Sequence, residues 1–593
     1  METGFYTRER NAQIVISLLK EHGISKVIAS PGTTNISLVG SMMNDSFFEI
    51  YSAPDERSAA YMACGMAAES GEPVVLSCTG ATASRNYIPG LTEAFYRKLP
   101  VIAITSALNP VRSGHLFPQF VDRTQQLKDM VKYSAQVLSV ETKEDEWACV
   151  VKVNEAILET KRNGGGPVHL NLVTKGEHLD FAIKELPKVR KITRYTYQEA
   201  LPPISAQRIG IFVGSHAPFS EALSNAVDRF CEKYNAIVLC DHTSGYHGKY
   251  RLQYSMMAAQ KCADEVMKFD LLIHMGEISG DYYILRKLVR TVSAVWRVNE
   301  DGQLRDYFKK LTCIFQMDER HFFTQYAQGE FAPETSHYDA AREKLMAVRG
   351  QIPELPFSNI WIASILAPKL PENSVMHFGI LNSLRAWNFF ETPESVRTYC
   401  NVGGFGIDGI LSTLIGASLV HPEKLYFAAV GDLAFFYDMN SMGNRHVGKN
   451  LRILLVNNGK GTEFRNYSHP GNRFGARADE YIAAARHYGN KSSQLVKNYA
   501  TDLGFSYMTA SSKEEFLAQY EQFIAAEVGE HSIVFEVFTN NEDESNALET
   551  VNTIIEEPQS PMATLKQSAI SIVKKTVGDS VFSSIKRIIK SNK

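Results

Sequence analysis

Short runs of apolar residues, bounded by glycine, proline and polar residues, recur along the chain and alternate with segments whose apolar positions fall at helical spacing. Lys26-Val-Ile-Ala-Ser runs into the breaker Pro31-Gly32, and Glu72-Pro-Val-Val-Leu-Ser, Pro100-Val-Ile-Ala-Ile-Thr and Pro167-Val-His-Leu-Asn-Leu-Val repeat the pattern. Uninterrupted runs of this length mark parallel strands buried on both faces. The alternation returns at Ile209-Gly-Ile-Phe-Val-Gly, Ala236-Ile-Val-Leu-Cys and Leu271-Leu-Ile-His-Met-Gly. It returns again at Ser374-Val-Met-His-Phe, Leu425-Tyr-Phe-Ala-Ala-Val, Arg452-Ile-Leu-Leu-Val and Ser532-Ile-Val-Phe-Glu-Val. Strands alternating with helices predict an α/β fold of three doubly wound parallel-sheet domains. Polar, proline-bearing stretches at Leu186–Ser205 and near Gly350–Phe357 read as linkers and set the domains at 1–185, 186–350 and 351–556. From 557 to 593 the pattern becomes that of a basic amphipathic tail, with seven Lys/Arg against one acid, Asp579, over residues 562–593.

Composition narrows this further. At 593 residues the chain exceeds what one hydrophobic core supports, which agrees with three domains. Its apolar share is 44%, its charged share 21% and its net charge −3, the profile of a globular protein with no electrostatic reason to bind nucleic acid. None of the eight cysteines forms a C-x-x-C pair, so neither a zinc site nor a disulfide framework is expected. The N-terminus lacks an apolar signal core and no stretch approaches 18 uninterrupted apolar residues, so a cytoplasmic protein is expected. The tail alone argues for contact with an anionic membrane surface.

Two groups of residues carry chemistry. Val430-Gly431-Asp432 closes one apolar strand and Leu454-Leu-Val-Asn457-Asn458 the next, and Gly431 to Asn458 spans 28 residues. A carboxylate and an amide oxygen at neighbouring parallel strand ends stand where α/β sheets bind ligands, and hard oxygens suit Mg²⁺ beside phosphate. Asp55-Glu56-Arg57 precedes the small-residue helix Ala59-Ala-Tyr-Met-Ala-Cys-Gly-Met-Ala. Together with Ser30-Pro31-Gly32, Thr79-Gly80-Ala81-Thr82 and Gly165-Gly-Pro-Val-His-Leu-Asn, in this order, they resemble the thiamine-diphosphate enzymes of the acetohydroxyacid-synthase and pyruvate-decarboxylase type. Gly431-Asp-Leu-Ala-Phe-Phe-Tyr-Asp-Met-Asn, Asn401-Val-Gly-Gly-Phe-Gly-Ile-Asp-Gly and Asn382-Ser383-Leu384 are similar, more closely, to the menaquinone-pathway synthases within that superfamily.

The resemblance implies a pyrimidine-binding, a middle and a diphosphate-binding domain, with thiamine diphosphate and Mg²⁺ as cofactors. It implies that Glu56 hydrogen-bonds the pyrimidine N1′ and that Ile407 supports the thiazolium. Asp432, the Asn458 side chain and the Lys460 carbonyl would hold the metal. Gly32, Thr79, Gly80, Asn86, Ser383, Gly404, Gly431, Leu433 and Gly461 would complete the cofactor site. Arg85, His115, Gln119 and Arg465 are the polar candidates for substrate. The chain departs from the menaquinone-pathway pattern at Thr34, Trp387 and Val402, where that family places guanidiniums. Their loss removes bidentate carboxylate clamps, so the dicarboxylate donor and isochorismate acceptor of that family should be poor substrates. The expected reaction is decarboxylation of a small 2-oxo acid and transfer of the fragment to an uncharged or sugar-like carbonyl acceptor. The tail adds a hint of cell-surface glycan assembly. A simple decarboxylase and an inactive homologue used as a binding partner stay open as alternatives; intact Glu56, Asp432 and Asn458 speak against the second. The family further implies a homodimer or homotetramer.

Overall fold

The computed structural model describes residues 5–123, 125–175, 180–487 and 491–555. Among the described residues three parallel sheets of six, seven and six strands, with helices between the strands, make an α/β fold. By internal contacts it divides into two compact units, residues 1–205 with 294–322 and residues 206–293 with 323–593. The basic tail, residues 557–593, lies outside the described residues. Among the described residues no helix is long and apolar enough to cross a membrane.

The first unit holds β1 (Lys26–Ala29), β2 (Glu49–Ser52), β3 (Val74–Thr79), β4 (Val101–Ala107), β5 (Tyr133–Val137) and β6 (Val168–Val173), ordered β2-β1-β3-β4-β6-β5. Alternation along each strand sends its side chains to opposite faces, and both faces are covered. Val27, Val75 and Ile102 pack with the helices Arg10–Glu21 and Lys143–Glu159, while Ile28, Leu76 and Ala103 pack with Glu56–Ser70 and Ile88–Tyr96. The unit also contains β7 (Thr193–Tyr195), which lies inside the stretch whose polarity reads as a linker and pairs in parallel with the later strand Leu311–Phe315. A strand of three residues, all half-buried, is too short to leave an apolar run.

The second unit contains β8 (Ile209–Val213), β9 (Ile237–Cys240), β10 (Arg251–Gln253) and β11 (Phe269–Met275). β12 (Val292–Val298) and β13 (Leu311–Phe315) fall largely in the first unit. The remaining strands of the second unit are β14 (Val375–Phe378), β15 (Arg397–Cys400), β16 (Tyr426–Gly431), β17 (Leu451–Asn457), β18 (Ser506–Ala510) and β19 (Ile533–Phe538), ordered β15-β14-β16-β17-β19-β18. In the first and third sheets the chain steps outward from the first strand and then returns past it to the third. The switch points therefore fall between β1 and β3 and between β14 and β16, where open α/β sheets bind ligands outside the carboxyl strand ends.

Candidate functional site

In the first unit the carboxyl ends of β1, β3 and β4 come level, with Ala29 opposite Ser77 and Thr79 opposite Ser106. Gly32, after β1, lies so close to Thr79 that a Cβ there would stand 2.5 Å from the threonine Cβ. The Thr34 hydroxyl lies 2.5 Å from that of Thr79 and donates to the Ser106 carbonyl at 2.7 Å. Gly32, Thr34, Thr79 and Gly80 thus gather at one switch point. Gly80 opens the short helix Ala81–Asn86, and a Cβ on it would meet the guanidinium of Arg123 at 2.3 Å. Arg123 is buried, and no sequence motif pointed to it.

Glu56 is the first residue of the helix Glu56–Ser70, capped by Asp55, whose carboxylate accepts from the Arg57 amide at 3.0 Å and the Ser58 hydroxyl at 2.8 Å. Ala60, one turn on, lets this helix approach Gly90, where an added Cβ would stand 2.4 Å from the alanine methyl. The Glu56 carboxylate accepts the Asn86 side-chain amide at 3.0 Å. Glu56 is half-buried, and exposed Tyr61 and Met62 follow it on the same helix. Beneath the group lie Cys78 and Tyr87, whose thiol and phenol are both pushed upward by burial. Arg85 is exposed and donates to the Asp122 carbonyl at 3.5 Å, while His115 and Gln119 lie out in solvent on the loop after β4.

In the second unit Asp432 begins the helix Asp432–Asp438 directly after β16, and Asn458 follows β17. Asp432 is 3% exposed. Burial pushes its carboxyl up to about 7 against the opposing backbone amides of Leu433 and Gly459. Among the described residues neither Asp432 Oδ2 nor Asn458 Oδ1 has a hydrogen-bond partner. Two buried oxygens without donors at adjacent strand ends fit a small divalent cation, which would take few protein ligands and keep sites for phosphate and water. Lys460 turns its ammonium to Asp479 at 2.7 Å, leaving its carbonyl in the chain segment beside Asn458. Gly461 packs near Leu433, an added Cβ falling 3.4 Å from the leucine Cδ1.

A polar brace joins the segment after β14 to the one after β17. Asn382 donates to the Thr462 hydroxyl at 2.9 Å, which also receives the Asn458 amide at 3.4 Å. Arg385 makes two bonds to Glu463, 2.7 and 3.0 Å, and one to Asn382 at 3.0 Å. This bidentate pair went unseen in the sequence, since neither partner belongs to a motif. Ser383 is buried in the same helix start. Gly404 is exposed in the turn leading to half-buried Ile407, which packs on the core between two left-handed residues, Phe405 and Gly409. Val402 is buried, and Gly280 leaves room for it and for Leu384. Trp387 is wholly enclosed against Phe378, ring centroids 5.4 Å apart. Arg465 donates to the Gly475 carbonyl and pairs with Asp479 at 3.5 Å.

Residues 10–127 match the family described as thiamine pyrophosphate enzyme, N-terminal TPP binding domain. Over 566 residues the chain is 31% identical to the 2-succinyl-5-enolpyruvyl-6-hydroxy-3-cyclohexene-1-carboxylate synthase of Phocaeicola vulgatus, covering 92% of this chain and 98% of that protein. The protein of the same name from Bacteroides thetaiotaomicron is 29% identical over 571 residues, with the same coverage.

Proposed function

The chain belongs to the family of the 2-succinyl-5-enolpyruvyl-6-hydroxy-3-cyclohexene-1-carboxylate synthases, thiamine-diphosphate-dependent enzymes, and from that premise we propose that it decarboxylates a 2-oxo acid and transfers the remaining fragment to a carbonyl acceptor. The observation that carries this reading is the pair of buried oxygens Asp432 Oδ2 and Asn458 Oδ1, unpartnered among the described residues, which supports Mg²⁺ and with it an anchored diphosphate. Thiamine diphosphate, when bound, supplies the nucleophilic carbon and the electron sink. Asp432, Asn458 and the Lys460 carbonyl would hold the metal, and Leu433, Gly461 and Ser383 would line the diphosphate end. Glu56 would take the ring nitrogen of the pyrimidine, with the Asn86 amide fixing the carboxylate's orientation. Such a carboxylate moves a proton efficiently only when water is excluded from it. Half-buried Glu56 on a helix that exposes Tyr61 and Met62 therefore favours a homodimer in which a second copy covers this surface.

At Thr34, Trp387 and Val402 the chain carries no guanidinium, and Arg385, close to one of those positions, is committed to Glu463. This supports substrates with fewer carboxylates than those inferred for the menaquinone-pathway synthases. The test is to incubate the protein, thiamine diphosphate and Mg²⁺ with a panel of 2-oxo acids, following CO₂ and products with and without aldehyde acceptors. A ligated product is expected. Release of CO₂ with an aldehyde as sole product would replace the reading by that of a simple decarboxylase, and no CO₂ from any acid would overturn it.

A further inference from the structure

The corner around Gly80 holds a charge that nothing described in it answers. Arg123 is 9% exposed, and among the described residues its Nε and Nη1 have no hydrogen-bond partner. Burial holds the guanidinium below its usual range, and the other cation acting on it, Arg85, pushes the same way. A buried cation without a counter-ion is costly, and native structures keep such groups where an anion completes them.

Two local features are shaped around this guanidinium. Gly80 has a φ of −69°, which any residue adopts, so glycine is not required there by the backbone. Space favours it, because an added Cβ would stand 2.3 Å from Arg123 Nη1 and 3.1 Å from Cζ, so that the guanidinium would have to move aside. The arginine's own backbone is also pinned. Its carbonyl accepts the side-chain amides of Gln126 and Gln136, each at 3.2 Å. Gln136 in turn accepts from Asn171 at 2.6 Å, and Asn171 accepts from Thr105 at 3.3 Å, so β4, β5 and β6 share one polar chain ending at Arg123. Thr34, where the sequence lacks the expected guanidinium, closes its hydroxyl on Thr79 and Ser106 in this same corner. Positive charge thus enters the corner from position 123.

We propose that Arg123 is a substrate-binding residue that receives a carboxylate retained in the product, an inference that rests on the reading of the protein as a 2-oxo-acid carboligase. The carboxylate that departs as neutral CO₂ is excluded on chemical grounds: a cation bonded to it would stabilise the ground state more than the transition state. A retained carboxylate has two sources, the far end of a dicarboxylic 2-oxo acid or the acceptor.

Two arms separate them in the full-length protein loaded with thiamine diphosphate and Mg²⁺. The donor arm compares 2-oxoglutarate with its 5-amide, and the acceptor arm, with pyruvate as donor, compares succinic semialdehyde with butanal. Wild type is expected to favour the carboxylated member in one arm. Arg123→Gln should lose that preference, raising its KM about 30-fold, and Arg123→Lys should recover part of it. Glutarate should raise the melting temperature of wild type and not of Arg123→Gln, a readout that needs no turnover. Thiamine diphosphate affinity should be the same in both proteins, and Arg123→Gln without ligand should melt no lower than wild type. Equal loss of both members with earlier melting would make the guanidinium structural, and weaker cofactor binding would assign it to the cofactor; either overturns the proposal. So would a wild type that turns over its substrates and discriminates in neither arm. Should no 2-oxo acid release CO₂, the functional reading fails alone, and the glutarate shift still decides the site.

Discussion

The first and third sheets follow the same winding, β2-β1-β3-β4-β6-β5 and β15-β14-β16-β17-β19-β18, and in both the chain passes from the third strand of the set into a short helix. At that passage the first sheet places Gly80, whose missing side chain admits a guanidinium, and the third places Asp432, whose Oδ2 finds no donor among the described residues. One corner presents guanidinium nitrogens and the other a carboxylate oxygen, each without a hydrogen-bond partner among the described residues. A shared backbone path therefore fixes where a ligand can sit, while one or two side chains fix the charge it must carry. Variants that confuse the two corners would break this contrast, and those that separate them would sharpen it.

The largest effect belongs to the cation-seeking corner. Asp432→Ala should abolish Mg²⁺-dependent binding of thiamine diphosphate, because the diphosphate charge is then left uncompensated; calorimetry with and without metal reads it. Unchanged affinity would remove Asp432 from the metal site. In the other corner Glu56→Gln should keep cofactor binding and lower the rate of thiazolium proton exchange by about 10²- to 10³-fold, measured by NMR. Loss of cofactor binding in this variant would erase the distinction between the corners.

Next comes Gly80→Ala, which forces the end of a flexible side chain to move without straining the backbone. It should weaken binding of the carboxylated substrate about tenfold and leave the urea midpoint nearly unchanged. A variant that instead unfolds early would show that the space is needed for packing.

The smallest effect is a control. Glu544 is buried like Asp432, at 8% against 3% exposed, but its oxygens are partnered by the Asn359 backbone amide at 3.1 and 3.2 Å and by the Thr539 hydroxyl at 2.7 Å. Burial pushes its carboxyl up to about 7 from an ordinary 4.5. Between those values the folded chain keeps a proton that the unfolded chain has lost, so this group's contribution to stability falls as pH rises from 4.5 to 7. Glu544→Gln should flatten that fall, by at most about 3 kcal/mol, with cofactor binding unaffected. Urea midpoints at pH 5 and pH 8 check it.

What the sequence disclosed follows the same division between local and distant. β1, β3, β4 and β6, and later β14, β16, β17 and β19, lie inside their sheets and show as apolar runs. The edge strands β2, β5, β15 and β18 escaped, because a strand with one neighbour and half-buried or exposed side chains leaves no such run. β12 and β13 were hidden by polar interruptions such as Ser293, Arg297 and Thr312. Asp432 and Asn458 were legible because each directly follows its own strand, so position in the chain gives position in the fold. Arg123 was not, since its meeting with Gly80 depends on a loop returning across more than forty residues. Trp387 illustrates the same limit: its place in the sequence does not disclose that it is enclosed against Phe378.

The strand order has a consequence for synthesis on the ribosome. β5 is made before β6 but has β6 as its neighbour in the sheet, in parallel register from Tyr133 opposite Val168. A nascent chain that has emerged only through β5 must therefore carry an edge strand without its seat, exposed to chaperones or to pairing with another chain, until β6 is extruded. The third sheet repeats the situation, since β18 awaits β19. Pausing of translation within the helix Lys143–Glu159 would lengthen the first exposure, and pausing within residues 511–532 the second.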